Sequence, residues 1–93
     1  MKMIPYGRQT ITEDDKRAVC EVLDSDFLTQ GPKVCEFETA LANKVDCKYA
    51  VAVNSATSAL HLSCEALKLK RGDYLWTSPT TFVASANCGR YCD

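Results

Sequence analysis

The sequence lacks any apolar run that approaches the ~20 residues of a membrane span. Its first ten residues include Lys2 and Arg8 but no apolar stretch of the kind that a secretory signal requires. These two absences exclude a membrane-spanning segment and an export signal within the sequence. We therefore expect a cytoplasmic protein.

An excess of charge of either sign is also missing. Lys plus Arg number 11 and Asp plus Glu number 12, so the formal net charge is −1. A chain so balanced has no electrostatic reason to bind nucleic acid or an acidic membrane surface. A hydrophobic share of 46% and a charged share of 25% instead place the chain among ordinary globular proteins.

Histidine is scarce and cysteine is abundant. The six cysteines are Cys20, Cys35, Cys47, Cys64, Cys88 and Cys92. A disulfide framework is typical of short secreted chains, but this sequence has no export signal. A zinc site needs closely spaced ligand pairs, and only Cys88 and Cys92 come close, while the single His61 lies far upstream. We expect reduced cysteines that behave as small buried hydrophobic residues, and we assign no metal site.

The spacing of apolar residues and turn formers predicts an N-terminal arm followed by helices and strands. Thr12 followed by Asp15 is typical of a capping box, and Pro32 suits the first position of a helix. The predicted elements are an extended arm to Ile11, a helix from Thr12 to about Asp24, a helix from Pro32 to about Asn43, a strand over Tyr49 to Val53, a helix from residues 54–58 to about Leu67, a strand over Tyr74 to Thr77, and a helix from Thr81 to about Tyr91.

The second half of the chain has the element order of an α/β fold. Strand, helix, strand and helix follow one another there, which implies a parallel sheet. We divide the sequence into an N-terminal arm with helices, residues 1–47, and the start of an α/β domain, residues 48–93. Natural α/β sheets rarely have only two strands, so we expect the chain to be an incomplete portion of a larger domain. A small α/β domain that closes on its own is the alternative.

The familiar phosphate-binding loops are absent, since neither Gly-x4-Gly-Lys nor Gly-x-Gly-x-x-Gly occurs. The first predicted strand is instead followed by Asn54-Ser55-Ala56-Thr57-Ser58, which opens a helix. Unpaired backbone N–H groups and the positive end of the helix dipole favour an anion there, and small side chains allow its approach. The segment predicts a phosphate cradle, although ordinary helix N-caps have the same composition.

Phe82 follows the second predicted strand. Ligands of open α/β sheets bind beyond the carboxyl ends of the strands, where an aromatic ring can stack on a flat heterocycle. The alternative is that Phe82 fills the core, as most phenylalanines do.

Several segments of the chain form an ordered set. They are Leu28-Thr29-Gln30-Gly31-Pro32, Phe37-Glu38, Ala50-Val51-Ala52-Val53-Asn54-Ser55-Ala56-Thr57-Ser58-Ala59-Leu60-His61, Gly72-Asp73 and Ser78-Pro79-Thr80-Thr81-Phe82-Val83-Ala84-Ser85-Ala86-Asn87. The set covers nearly the whole chain and resembles the DegT/DnrJ group of nucleotide-sugar aminotransferases. These are fold-type I enzymes dependent on pyridoxal 5′-phosphate (PLP). The resemblance is greatest to the branch that aminates 4-keto sugars on the way to pseudaminic acid.

The resemblance implies roles for matched positions. Ala56 and Thr57 would hold the PLP phosphate through backbone amides and the threonine hydroxyl, and Phe82 would stack on the pyridine ring. A sugar-nucleotide site, often at a dimer interface, would be lined by Tyr6, Thr29 and Gln30.

The resemblance also implies what the chain lacks. The Schiff-base lysine and the acid that holds the pyridine nitrogen protonated would both lie past Asp93. We therefore assign no catalytic residue. We expect a fragment, inactive alone, of a homodimeric enzyme that transfers an amino group from glutamate to a nucleotide-linked keto sugar in polysaccharide sugar biosynthesis. The alternatives are a small cysteine-containing binding module, or an interaction module that pairs through an exposed sheet edge.

Overall fold

The computed structural model describes residues 3–5 and 7–92 and has four helices over them. The helices are α1, Glu13–Leu23; α2, Pro32–Lys44; α3, Ala56–Ala66; and α4, Ala84–Arg90. The chain forms two compact units, Met1–Tyr49 with α1 and α2, and Ala50–Asp93 with α3 and α4. Over the described ranges, no helix combines the length and the apolarity that crossing a bilayer demands.

The start of α1 is fixed by the capping box that the sequence predicts. The Thr12 hydroxyl accepts a hydrogen bond from the Asp15 amide at 3.2 Å, and the Asp15 carboxylate accepts one from the Thr12 amide at 2.7 Å. The hydrogen bonds from Thr12, chiefly that from its backbone, lower the pKa of Asp15. Each partner satisfies a backbone donor that the helix leaves unpaired, so the prediction of a helix opened by Thr12 is confirmed.

Helix α2 begins at Pro32, as predicted, and Gly31 is its N-cap. A Cβ atom added at Gly31 would lie 2.9 Å from both the Cβ atom and the carbonyl oxygen of Phe27. Atoms that close would overlap, so the turn between α1 and α2 requires a residue without a side chain at this position.

The two strands predicted from the sequence are wrong for the described residues, which contain helices, turns and bends but no strand. Tyr49 and Val51 are exposed to 75% and 74%, against the expected burial on both faces of a sheet. A strand is defined by a hydrogen-bond ladder with a neighbour. Apolar sequence alone does not supply that neighbour, and the segments over 49–53 and 74–77 do not pair with each other.

The second unit is built on the packing of α3 against α4. Its buried residues are Cys64 on α3 and Ala84 and Cys88 on α4, each exposed by 6% or less. A Cβ atom added at Gly89 would lie 3.0 Å from the Leu75 side chain. Because Gly89 has no side chain, Leu75 can lie close against α4. Small residues at the contact therefore set the separation of the two helices.

Helix α4 begins at Ala84, later than the predicted Thr81. The backbone over 79–81 forms bends, and the amide of Ser85 donates to the Phe82 carbonyl at 3.1 Å in a single tight turn. The residue before a proline is excluded from helical geometry, and Pro79 imposes this on Ser78. The proline thus keeps the loop non-helical close to its start.

Helix α3 ends in a Schellman motif that uses lysine where glycine is usual. The amide of Leu69 donates to the Cys64 carbonyl at 3.0 Å, and the amide of Lys68 donates to the Glu65 carbonyl at 2.9 Å. Lys68 has a φ of 56°, in the left-handed region. That conformation is costly for a residue with a Cβ atom, so the end of α3 is held under strain.

We predict that Lys68→Gly raises the free energy of unfolding by about 0.5–1 kcal/mol, because glycine removes the left-handed penalty while retaining both hydrogen bonds. Urea unfolding followed by circular dichroism measures the change. Lys70→Gly is the matched control, since Lys70 has no positive φ. It should leave stability unchanged or reduce it. A destabilised Lys68→Gly variant would contradict the assignment of strain.

Candidate functional site

The predicted phosphate cradle lies at the N-terminus of α3. Ser55 is the N-cap, and its hydroxyl accepts a hydrogen bond from the Ser58 amide at 3.2 Å. The Ser58 hydroxyl donates to Asn54 Oδ1 at 2.9 Å and lies 3.0 Å from the Ser55 hydroxyl. Three of the five polar or small residues of this segment are thus used to hold the first turn in place.

The other two residues of the segment, Ala56 and Thr57, keep their backbone amides available. Within the described residues neither amide has a hydrogen-bond acceptor, and the Thr57 hydroxyl has no partner. Thr57 is half-buried and Ala56 is exposed. Two adjacent amides at the positive end of a helix dipole, beside a hydroxyl, can bind an anion with hydrogen bonds to charge.

Phe82 lies in the same unit, directly before the turn that leads into α4. Its side chain is 75% exposed, so the alternative that it fills the core is wrong in this structure. Its carbonyl accepts from Ser85, while the ring remains open to solvent. An exposed ring is available to stack on a flat partner.

The residues predicted to line a sugar-nucleotide site belong to the first unit. Thr29 and Gln30 are exposed in the loop between α1 and α2, and Gln30 has a left-handed φ of 53°. Tyr6 lies outside the described residues. Roles for all three in substrate binding stay predictions.

The packing of α3 on α4 creates a cluster that the sequence analysis missed. His61 Nε2 lies 3.5 Å from Glu65 Oε1 on the same helix. Sγ of Cys92, just past the end of α4, joins them, and the three ligand atoms lie within 4.8 Å of one another. The edge of the His61 ring contacts the Tyr91 ring, with the centroids 5.3 Å apart. His61 is thus not remote from the C-terminal cysteines, as its place in the sequence suggested.

The signal for this cluster was present as helical spacing. His61 and Glu65 are four residues apart and so share a face of α3, while Cys88 and Cys92 are four residues apart at α4. What the sequence does not give is the packing of the two faces against each other. A search for ligand pairs within one segment therefore could not find the site.

The six thiols are all free and fall into two groups. Cys64 and Cys88 are buried and Cys92 is half-buried, whereas Cys20, Cys35 and Cys47 are exposed. The expectation of buried cysteines thus holds for the first group and is wrong for the exposed three. Those three occupy the first unit, whose described residues bury few side chains.

Removal from water dominates the acid–base behaviour of the buried group. Burial, with smaller contributions from Cys88 and Cys92, raises the pKa of the Cys64 thiol to about 11. Burial also raises the pKa of Cys92, and the neighbouring Glu65 carboxylate adds to the effect. Both thiols therefore stay protonated at neutral pH in the metal-free structure.

The available amides of α3 and the exposed ring before α4 are the candidate functional groups of the second unit. The profile of the DegT/DnrJ/EryC1/StrS aminotransferase family matches residues 9–93. The chain belongs to that family, and the resemblance noted from its sequence is confirmed.

Individual relatives agree with the family. The chain is 47% identical over 85 residues to the UDP-4-amino-4,6-dideoxy-N-acetyl-beta-L-altrosamine transaminase of Campylobacter jejuni strain 81-176, covering 91% of this chain and 22% of the relative. It is 44% identical over 84 residues to the spore coat polysaccharide biosynthesis protein SpsC of Bacillus subtilis, covering 90% of this chain and 22% of the relative. An uncharacterized protein of Methanocaldococcus jannaschii is 40% identical, with the same coverage. The chain thus spans about a fifth of these relatives' length. No solved structure matches it.

We predict that alkylation at pH 8 distinguishes the two groups of thiols. Cys20, Cys35 and Cys47 should react first, and Cys64 at least about tenfold more slowly. Burial blocks access to Cys64, and a pKa near 11 instead of 9.0 lowers the thiolate fraction by about 100-fold. Mass spectrometry of peptides after timed labelling measures the rates.

Labelling in urea is the control for this experiment, because unfolding should bring the six rates together. Equal rates for Cys64 and Cys20 in the native chain would show that α3 and α4 do not pack in solution as they do in the structure.

Proposed function

We propose that this chain is the N-terminal part of a PLP-dependent aminotransferase that acts on a nucleotide-linked keto sugar. One observation carries the proposal: in a member of this aminotransferase family, the first turn of α3 offers two adjacent backbone amides without acceptors, at Ala56 and Thr57. The composition of the same segment also predicts a phosphate cradle.

The phosphate group of PLP fits this turn. A phosphate dianion would accept from the amides of Ala56 and Thr57 and from the Thr57 hydroxyl, in the field of the helix dipole. The hydrogen bonds of Ser55 and Ser58 hold the turn in advance, so binding does not require the loop to be ordered first. No side chain with a negative charge lies among residues 54–58.

The aromatic ring of Phe82 would serve the other end of the cofactor. Stacking on the pyridine face would exclude water and orient the ring, and the exposed side chain of Phe82 is available for it. When bound, PLP supplies an electron sink that makes amino-group transfer possible. This chain contributes the binding of phosphate and ring. The lysine and the acid that complete the chemistry are expected in a part of the enzyme beyond residue 93.

The substrate proposal rests on the relatives. One is named as a transaminase of a UDP-linked aminodideoxy sugar, and another as a spore coat polysaccharide protein. We infer a nucleotide-linked 4-keto sugar as the amino acceptor, glutamate as the donor, and polysaccharide biosynthesis as the role. Tyr6, Thr29 and Gln30 would line the sugar-nucleotide site of a homodimer in the cytoplasm.

The alternative functions lose their basis. The family match gives no support to a cysteine-containing binding module in place of an enzyme. Pairing through an exposed sheet edge has no sheet to use among residues 3–5 and 7–92.

We predict that Thr57→Val, made in the product of the complete reading frame, raises the PLP dissociation constant by about 10–100-fold. A hydrogen bond to a charged group contributes about 1.5–3 kcal/mol, and each 1.4 kcal/mol is tenfold in affinity. The isosteric change removes the hydroxyl and leaves the backbone intact. Dissociation constants come from cofactor absorbance after dialysis against known PLP concentrations.

Thr39→Val, the same exchange on α2, is the matched control and should leave PLP affinity unchanged. Equal affinity in wild type and Thr57→Val would contradict the cradle. The 93-residue chain alone should show neither turnover nor a covalent PLP adduct after borohydride reduction. A stable adduct at a single lysine of this chain would overturn its assignment as the part without the catalytic lysine.

A further inference from the structure

The cluster at the end of α4 contains three chemically different metal ligands, from α3 and from the turn that follows α4. His61 and Glu65 come from one face of α3, and Cys92 comes from the turn after α4. None of the three belongs to the proposed PLP or sugar site. We propose that His61, Glu65 and Cys92 form a site for a divalent transition metal of the zinc class.

The spacing of the ligand atoms suits such an ion. A tetrahedral zinc ion bound at about 2.0–2.3 Å holds neighbouring nitrogen, oxygen and sulfur ligands about 3.4–3.6 Å apart. His61 Nε2 and Glu65 Oε1 are 3.5 Å apart already. All three atoms lie within 4.8 Å, so Cys92 Sγ needs to move by about 1 Å, which a side-chain rotation supplies.

The surroundings of the cluster favour binding over an ordinary surface ion pair. The side chains of His61 and Glu65 are 41% and 55% exposed, which leaves a path for the ion and a position for water as a fourth ligand. The Tyr91 ring packs against the imidazole, with the ring centroids 5.3 Å apart. A histidine–glutamate pair on one helix is common, but a cysteine brought to it from a separate segment is not part of that pattern.

The chemistry of the ligands selects the class of metal. A thiolate and an imidazole favour zinc, copper or nickel, whereas magnesium and calcium prefer oxygen ligands alone. The Cys92 thiol donates a hydrogen bond to the Cys88 carbonyl at 3.4 Å, so its proton must leave before the sulfur can bind an ion. On binding, the S–H bond breaks, a sulfur–metal bond forms, and the proton passes to solvent.

The site also has a structural consequence. Its ligands join α3 to the turn that follows α4, next to the packed Cys64 and Cys88. An ion held there would clamp the two helices together and stabilise the second unit by mass action. The metal proposal is independent of the PLP proposal, because the titrations below contain no cofactor or substrate.

The test uses the 93-residue chain, reduced with a phosphine and titrated with Co²⁺ as a spectroscopic probe. We expect one Co²⁺ per chain, a thiolate-to-cobalt charge-transfer band, and displacement of the cobalt by Zn²⁺. Glu65→Gln, His61→Gln and Cys92→Ser should each weaken binding by at least about tenfold, since even the loss of an outer-shell partner costs that much. Glu21→Gln and Cys35→Ser are matched controls at exposed positions of the first unit and should bind as wild type does.

Circular dichroism of each variant separates loss of a ligand from loss of structure. If Cys92→Ser loses helix content, the two α3 variants decide, because their side chains are largely exposed. The absence of stoichiometric Co²⁺ and Zn²⁺ binding would overturn the proposal. So would binding that survives in both Glu65→Gln and His61→Gln, since the ion would then be held by cysteines alone.

Discussion

The first turn of α3 contains backbone amides that the helix cannot satisfy by itself, and the functional account depends on this constraint. An α-helix always leaves its first N–H groups without intrahelical acceptors. Here Ser55 satisfies the amide of Ser58, and the amides of Ala56 and Thr57 have no acceptor among the described residues. Small side chains keep them accessible. The same geometry would be an ordinary helix cap in another protein, and membership of an aminotransferase family gives it a meaning here.

The described residues lack the predicted sheet, and for the same reason apolar side chains of the second unit are exposed. Val51 and Val53 lie beside Ala59 and Leu62 of α3 and line a groove of about 470 Å³. Trp76 and Tyr74 are exposed to 94% and 90%. Such side chains are typical of strands that are covered on both faces. A segment becomes a strand only when a neighbouring segment provides the hydrogen-bond ladder. These segments have the composition of a buried parallel sheet, but over residues 3–5 and 7–92 they form no ladder.

Features governed by neighbouring residues could be predicted from the sequence. The Thr12–Asp15 box and Pro32 mark helix starts because each acts within one turn. The available amides at α3 follow from the same local rules. Contacts between distant segments could not be predicted, since nothing local brings His61 to Cys92 or decides whether the segment over 49–53 joins a hydrogen-bond ladder. Lys68 is a further case, because a left-handed lysine at the end of α3 is imposed by the turn and not by its own preference.

Helix α3 would thus contribute to two sites, one for a phosphate and one for a metal ion. Its first turn offers amides for a phosphate, and its last turns present His61 and Glu65 toward Cys92. At about 1.5 Å per residue, Thr57 lies about 6 Å along the helix from His61 and about 12 Å from Glu65. An ion and a cofactor would therefore use separate turns of α3, and both would depend on α3 being held in place by α4.

The most direct test of the phosphate cradle is an NMR titration of the 15N-labelled chain with PLP, followed at the backbone amides. The account predicts that the resonances of Ala56 and Thr57 shift most, and that pyridoxal without its phosphate leaves them unmoved. Ala56→Pro removes one donor at a helix position that tolerates proline, so it should weaken the response at Thr57. Glu13→Pro, at the same position of α1, should not. Shifts confined to residues next to lysines, with Ala56 and Thr57 unaffected, would contradict the account.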